Sequence, residues 1–181
     1  MTDMDSRRAV GGDTDTRTGR LFDLVDTLDS DAWYTPEWVF SGMGVAFDLD
    51  VAAPEGGLSW IPASAHYTVA DDGLVMPWHG TVWCNPPYSE PKPWCYKWAN
   101  HAPGGALLIR ADLSTSGPFA AISAATSIYI PSKRLQFVSG AGARSGSVNF
   151  STVILGRGRE VDAGLMRLSR TFGGTTRSLT P

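Results

Sequence analysis

Short apolar runs, separated by turn residues and by longer helix-like stretches, set the pattern of this 181-residue chain. The helix-like stretches are KPWCYKWANHA and the alanine-rich SGPFAAISAAT. Strands that alternate with helices predict an α/β fold, here a single domain with a mostly parallel central sheet flanked by helices. The apolar runs short enough to be buried strands are VAFDLDVAA (45–53), TVWC (81–84), GALLIR (105–110), TSIYIP (126–131) and FSTVIL (150–155).

Two short helices are predicted before the first strand. LFDLVDTLDSD (21–31) has an amphipathic pattern, and TPEWVFSGMG (35–44) carries helix boundary residues at both ends. In the second helix we expect Thr35 as the N-cap, Pro36 in the first turn and the glycines at the C-terminal end.

Both ends of the chain are predicted to lie outside the fold. Residues 1–20 are polar and have almost no apolar side chains to bury, so we expect them to be disordered. Residues 161–181 end in GGTTRSLTP and are predicted to be poorly ordered. The folded domain is therefore predicted to span residues 21–160.

The composition limits location and cofactor chemistry. No run approaches the roughly 18 apolar residues of a membrane span, and the N-terminus lacks the apolar segment of a signal peptide. We therefore expect a cytoplasmic protein that does not enter a membrane.

Cys84 and Cys95 have neither metal-site spacing nor a disulfide framework, so they are predicted to be reduced and structural. The three histidines match no zinc spacing, and no metal is expected.

Charge is unevenly distributed along the chain. Residues 1–131 carry sixteen acids and seven bases, a net charge of −9, whereas residues 132–181 carry two acids and eight bases, a net charge of +6. A basic surface that faces DNA and an ordinary solvated surface both fit this pattern.

The most informative motif is Asn85-Pro86-Pro87-Tyr88, which follows the predicted strand TVWC. Ligands of open α/β sheets bind beyond the carboxyl ends of strands. Two prolines stiffen the loop and donate no hydrogen bonds, which leaves carbonyl oxygens available. If the Asn85 side-chain oxygen and the Pro86 carbonyl accept hydrogens from the exocyclic amine of adenine, the nitrogen lone pair becomes available. Tyr88 is predicted to stack on such a base, flipped out of a duplex.

The same four residues resemble the (D/N/S)-P-P-(Y/F/W) signature of S-adenosylmethionine-dependent amino-methyltransferases. Over roughly residues 33–155 the chain is similar to the small phage-type, Dam-like DNA N6-adenine methyltransferases. The resemblance implies a single-domain Rossmann-like methyltransferase fold and methyl transfer from S-adenosylmethionine to N6 of a flipped adenine in DNA, in the host-cell cytoplasm if the protein is phage-encoded. The agreeing segments, in order, are WYTPEWVF (33–40), FDLDVAA (47–53), HYTVADDGLVMPWHGTVWCNPPYS (66–89), RLQF (134–137) and FSTVIL (150–155).

The resemblance also implies where S-adenosylmethionine binds. Thr35 and Pro36 match the Thr-Pro pair that opens the cofactor site. Asp50 matches an acid close to the methionine part of the cofactor, where a carboxylate can attract the ammonium, and Val51 and Ala52 follow it. These five residues are predicted to bind the cofactor.

A second acid is implied at the other end of the cofactor. Asp72 resembles the acid that meets the adenine amine of S-adenosylmethionine, and Asp71 is the neighbouring candidate. The G-x-G turn that follows the first strand in most such enzymes is missing here, and DVAAPEGG stands in its place.

DNA contacts are predicted after the strand TSIYIP. Lys133, Arg134 and Arg144 are candidates for phosphate contacts, and a flexible solvated hairpin fits the same composition.

Methylation of the N4 amine of cytosine would use the same carbonyl acceptors, although Asn85 and Tyr88 favour adenine. A catalytically silent DNA- or protein-binding module that kept the fold is the alternative from another class.

Overall fold

In a computed structural model of the chain, residues 32–139, 145–147 and 150–179 are described. The predicted disorder of residues 1–20, the predicted helix over 21–31 and Arg144 lie outside the described residues. In the part of the chain that is described, no helix is both long and apolar enough to cross a membrane.

Four helices and ten strands make up the described parts of the chain. The helices are α1 (Glu37–Met43), α2 (Pro91–Asn100), α3 (Ser116–Ala124) and α4 (Arg159–Phe172). The strands are β1 (Trp33–Tyr34), β2 (Phe47–Asp50), β3 (Ala63–His66), β4 (Val82–Cys84), β5 (Gly105–Arg110), β6 (Ser127–Ile130), β7 (Gln136–Ser139), β8 (Ser145–Ser147), β9 (Thr152–Arg157) and β10 (Thr175–Ser178).

The main sheet has the strand order β10-β6-β9-β5-β4-β2-β3, and a smaller sheet has the order β1-β7-β8. The pairs β2–β3, β2–β4 and β4–β5 are parallel, whereas β9 runs antiparallel to both β5 and β6, and β10 runs antiparallel to β6. Strands β2 to β6 therefore share one direction, and β9 and β10 oppose it. The α/β prediction is confirmed, and the sheet is mixed.

Side-chain alternation along β5 divides the core into two layers. Ala106 and Leu108 pack in one cluster with residues of α1 and α4, while Leu107 and Ile109 pack in a second cluster with residues of α2 and α3. Successive side chains of a strand point to opposite faces, so a continuous apolar run predicts a strand covered on both sides. That is the arrangement observed.

The strand order reverses between β2 and β4. From β2 the chain continues to β3 on one side, and β4 then pairs with the other side of β2. Asp50 lies opposite Trp83, so the carboxyl ends of β2 and β4 are adjacent. Such a reversal opens a crevice beyond the strand ends, where open α/β sheets bind ligands.

The prediction that residues 161–181 are poorly ordered is wrong for residues 161–179. Helix α4 buries Val161, Gly164, Leu165 and Leu168, which recur at positions i, i+3, i+4 and i+7. Strand β10 then pairs with β6 at the end of the main sheet. Charged residues between these apolar positions are typical of an amphipathic surface helix, so the sequence itself carried the signal for α4.

Helix α1 also begins differently from the prediction. Pro36, in extended conformation, occupies the N-cap position and makes no side-chain cap, so Thr35 is not the N-cap. The predicted glycine C-cap is confirmed at Gly44, which has a φ of 56° and donates its N–H to the Phe40 carbonyl at 2.8 Å. Gly42 instead lies inside the helix, where a Cβ would approach Leu168 to 2.6 Å.

Candidate active site

Asn85 follows β4 and is held by the smaller sheet. Its Nδ2 donates a hydrogen bond to the carbonyl of Trp33 in β1 at 2.8 Å. This contact fixes the plane of the carboxamide, and the Oδ1 atom at its other end is buried without a hydrogen-bond partner among the described residues. Buried polar atoms are nearly always paired, so an oriented, unpaired acceptor marks a position where a donor from a ligand would fit.

Tyr88 closes the motif from within the core. Tyr88 is 5% exposed. Its ring packs edge-on against Phe137, with the ring centroids 5.9 Å apart, and at a tilt of 57° against Phe150, with the centroids 4.8 Å apart. The Arg110 guanidinium lies 4.2 Å from the Phe150 ring centroid and 5.6 Å from that of Tyr88. Burial raises the pKa of Tyr88, which Arg110 offsets in part, so the phenol is neutral. Stacking of Tyr88 on a base stays a prediction.

Asp50 ends β2 as a buried acid. Its side chain accepts a hydrogen bond from the Ala52 N–H at 3.2 Å, and the residue is only 3% exposed. Burial raises the pKa of Asp50 from 3.8 to about 7, while the Ala52 N–H lowers it. Desolvation is the physical cause of the raised pKa, since no cation of the described residues contributes to it, and a cation would favour the charged form. Such a carboxylate is suited to a positively charged ligand.

A cavity of about 340 Å³ lies directly after Asp50. It brings together three residues predicted to bind a cofactor, Val51, Ala52 and Asp72, with Pro87 of the motif and the indole of Trp94. The cavity therefore joins the end of β2 to the loop after β4.

The neighbouring acids Asp71 and Asp72 differ in their contacts, and only Asp72 is in the cavity lining. Asp71 Oδ2 accepts hydrogen bonds from the Thr68 N–H and hydroxyl at 2.8 and 2.9 Å, which lower its pKa. Asp72 lines the cavity, and its Oδ1 accepts from the Leu74 N–H at 3.0 Å. Asp72 is therefore the better placed of the two candidates.

Thr35 and Pro36 are connected to Asn85 through β1 and lie outside the cavity lining. Thr35 follows β1, whose Trp33 holds Asn85, and its carbonyl accepts from Trp60 Nε1 at 3.0 Å. Its hydroxyl oxygen is buried without a partner. Pro36 and Thr35 do not line the 340 Å³ cavity.

Lys133 and Arg134 are exposed in the loop after β6. The loop lies at the same edge of the sheet as Asp50 and Asn85, because β6 shares the direction of β2 and β4. With Trp38 and Phe172, whose ring centroids are 4.9 Å apart, the two cations line a groove of about 410 Å³.

Part of the basic C-terminal region has a structural role. Arg157 donates to the carbonyls of Ala99 and His101, at the end of α2. Arg167 donates to the carbonyl of Met43, at the end of α1. Cations at a helix C-terminus pair with the last carbonyls, which have no partner within the helix, and interact favourably with the helix dipole. These two arginines therefore account for part of the local positive charge.

Cys84 and Cys95 are free and buried, as predicted. Burial raises the pKa of Cys95 to about 11 and that of Cys84 well above its ordinary value. Neither thiol has the thiolate character that a nucleophile requires.

Three contacts of the site were not predicted. They are the Trp33 carbonyl, which holds Asn85, and the Arg110 and Phe150 side chains beside Tyr88. The sequence signal for each is weak, because a main-chain carbonyl has no residue signature and Arg110 lies 22 positions from Tyr88. Phe137 and Phe150 were included in the segments RLQF and FSTVIL, but without a role.

Comparison with known proteins adds independent information. The sequence matches the family described as DNA N-6-adenine-methyltransferase (Dam) over residues 25–171. A protein of Haemophilus phage HP1 (strain HP1c1), named DNA N-6-adenine-methyltransferase, is 30% identical over 121 residues, covering 61% of this chain and 68% of the relative. No solved structure is significantly similar.

Proposed function

The chain belongs to the DNA N-6-adenine-methyltransferase (Dam) family and methylates adenine in DNA, and we propose that Asn85 activates the amine and that S-adenosylmethionine is the methyl donor. One observation carries the assignment of Asn85. Its Oδ1 is buried and unpaired, while its Nδ2 is anchored to the Trp33 carbonyl. The acceptor is thus oriented before the substrate binds, which is how electrostatic catalysis avoids reorganisation during the reaction.

The proposed chemistry uses hydrogen-bond acceptors rather than a strong base. Asn85 Oδ1 and the Pro86 carbonyl accept hydrogen bonds from the two N–H groups of the adenine amine. The nitrogen lone pair is then less delocalised into the ring, and the nitrogen becomes nucleophilic. Pro87 stiffens the loop, because its fixed φ limits the conformations that the loop can adopt. Tyr88 remains neutral and bounds the motif on the core side.

The residues present fit S-adenosylmethionine. Its cationic methionine part suits the buried Asp50 carboxylate, and the cavity beside Val51 and Ala52 reaches Asp72, which would accept from the adenine amine of the cofactor. When bound, S-adenosylmethionine supplies an electrophilic methyl group. The reversal of strand order between β2 and β4 supports a Rossmann-like classification, and the position of the cavity beyond these strand ends supports nucleotide binding there.

The proposed DNA path crosses the same edge of the sheet. Lys133 and Arg134 are exposed cations beside the aromatic side chains of Trp38 and Phe172. Phosphate contacts by such cations position a duplex without reading its sequence, while the target base is flipped toward Asn85. Because a relative is a phage protein, we propose that the protein acts in the cytoplasm, that of the host cell if the protein is phage-encoded.

Methyl transfer by Asn85 variants tests the proposal. Asn85→Ala removes the acceptor, and we expect kcat to fall on the order of 10² to 10³. Asn85→Asp keeps an acceptor oxygen but loses the donor to Trp33, so its activity should lie between those of Asn85→Ala and the wild type. Asn100→Ala is the control, since Asn100 is exposed on α2 and bonds only within that helix turn in the described contacts.

The readout is transfer of labelled methyl groups from S-adenosylmethionine to duplex DNA, followed by nucleoside analysis. N6-methyladenine is the expected product, and N4-methylcytosine would identify the other amine as the target. Wild-type activity in folded Asn85→Ala would refute the role of Asn85. Lack of transfer from S-adenosylmethionine by the wild type would refute the proposed donor.

A further inference from the structure

Lys97 of α2 binds the loop that carries Asp72. Its Nζ donates to the carbonyls of Gly73, Leu74 and Met76 at 3.0, 2.8 and 2.6 Å. An ammonium group has three N–H donors, so these contacts use all of them. The three carbonyls converge on one cation, which is a stronger arrangement than three neutral hydrogen bonds.

The same loop is held at a second point by Trp78. The indole Nε1 donates to the Gly73 carbonyl at 2.7 Å, and the Lys97 ammonium lies 5.0 Å from the Trp78 ring centroid. Gly73 is packed so closely that a Cβ would collide with the Val51 carbonyl and approach Trp94 to 2.9 Å. The loop therefore lies between α2 and the end of β2, with no room for a side chain at position 73.

Asp72 is fixed by the backbone of this loop. Its carbonyl accepts from the N–H groups of Val75 and Met76, at 2.8 and 3.0 Å, and its Oδ1 accepts from the Leu74 N–H. Asp72 has a φ of 57°, a left-handed conformation that is uncommon outside glycine but that aspartate adopts more readily than most residues. The N–H groups of the loop thus point to Asp72, and the carbonyls of the loop point to Lys97.

We propose that Lys97 is a positioning residue for the methyl-donor site, which holds the loop 72–76 so that Asp72 and Gly73 form the wall of the 340 Å³ cavity. The inference rests on the proposed function, in which Asp72 binds the adenine amine of S-adenosylmethionine. Without the ammonium, the Leu74 and Met76 carbonyls lose the donor described for them and Gly73 keeps only Trp78, so the loop and Asp72 leave this position.

Binding of S-adenosylmethionine without DNA is the primary test, measured by calorimetry. Lys97→Met keeps the length of the side chain but removes its charge and donors, and we expect the Kd to rise on the order of tenfold. Lys97→Arg restores part of the affinity because its guanidinium also donates to carbonyls. Lys92→Met is the matched control, since it removes one exposed positive charge from the same helix and should leave the Kd unchanged.

Steady-state kinetics separate positioning from general destabilisation. In Lys97→Met we expect KM for S-adenosylmethionine to rise while kcat and KM for DNA stay at wild-type values. If Lys97 acts through Asp72, the losses of affinity in Lys97→Met and Asp72→Asn will not add in the double variant. An unchanged Kd in folded Lys97→Met, or additive losses, would overturn the inference.

A second variant covers the case in which Lys97→Met does not fold. Trp78→Phe removes the indole donor to Gly73 but keeps an aromatic ring, and it should produce a smaller rise in Kd with the same selectivity for the methyl donor. An unchanged Kd in this variant would then overturn the inference. Failure of the proposed function is distinguishable, because it would appear as no binding of S-adenosylmethionine by the wild type.

Discussion

Asp50→Asn is expected to make the ligand-free protein more stable while weakening its methyl-donor site. Burial raises the pKa of Asp50 from 3.8 to about 7, and the residue is 3% exposed. A pKa difference of this size corresponds to about 4 kcal/mol in favour of the neutral form. This value is an upper bound on the free energy that burial of the charged form costs. Asparagine is neutral at every pH, has nearly the same shape and can still accept the hydrogen bond from Ala52.

The sign of the pH dependence follows from the raised pKa. The folded state holds the Asp50 proton more tightly than the unfolded state, so the stabilisation is complete below the unfolded pKa of 3.8 and is lost as the pH rises to about 7. Between about pH 5.5 and about pH 8, the wild type should lose roughly 2 kcal/mol relative to Asp50→Asn. Other titrating groups are common to both proteins and cancel in this difference.

Urea denaturation of both proteins at the two pH values measures the effect. Calorimetry at about pH 8 should show weaker binding of S-adenosylmethionine to Asp50→Asn, because the variant lacks the charge that would pair with the ammonium. A stability difference that does not change with pH would refute the desolvation of Asp50. Equal affinity of the two proteins for S-adenosylmethionine would show that the ammonium binds elsewhere.

Other variants test the remaining parts of the site. Tyr88→Phe should be at least as stable as the wild type, because the buried hydroxyl has no partner, whereas Tyr88→Ala should lose about 3–5 kcal/mol in urea denaturation. Gly73→Ala should weaken S-adenosylmethionine binding in calorimetry, since its Cβ collides with the Val51 carbonyl, and equal affinity would show that the loop can shift. Replacing Lys133 and Arg134 with alanine should make the dependence of log K for DNA on log salt less steep by about 0.9 per lost phosphate contact. An unaltered slope would identify them as ordinary solvated cations.

Local patterns predicted the central elements of the fold well. GALLIR coincides with β5, and VAFDLDVAA and TVWC contain β2 and β4. Apolar runs of this length, bounded by turn residues, leave few alternatives to a buried strand. The two-residue strand β1 and the serine- and alanine-rich β3 have no such run, and long-range pairing alone forms them.

The candidate site was predicted where its residues are close in sequence. Asn85 to Tyr88 form one rigid loop, and Asp50, Val51 and Ala52 follow one another at the end of β2. Their roles in methyl transfer stay predictions. Lys97 and Arg110 gave no signal, because the significance of each depends on carbonyls or rings that lie 20 or more positions away.

By itself, the sequence determined the fold class, the Asn85-Pro86-Pro87-Tyr88 loop and its resemblance to adenine methyltransferases, since these depend on local periodicity, fixed proline φ angles and motif spacing. The tertiary structure alone decided which oxygen is left unpaired and which acid is desolvated. The Trp33 carbonyl orients Asn85 across 52 positions, and the closure of the core around β2 withdraws Asp50 from water. Hydrogen bonding and desolvation are properties of the folded surroundings, because they depend on atoms that the chain brings together only when it folds.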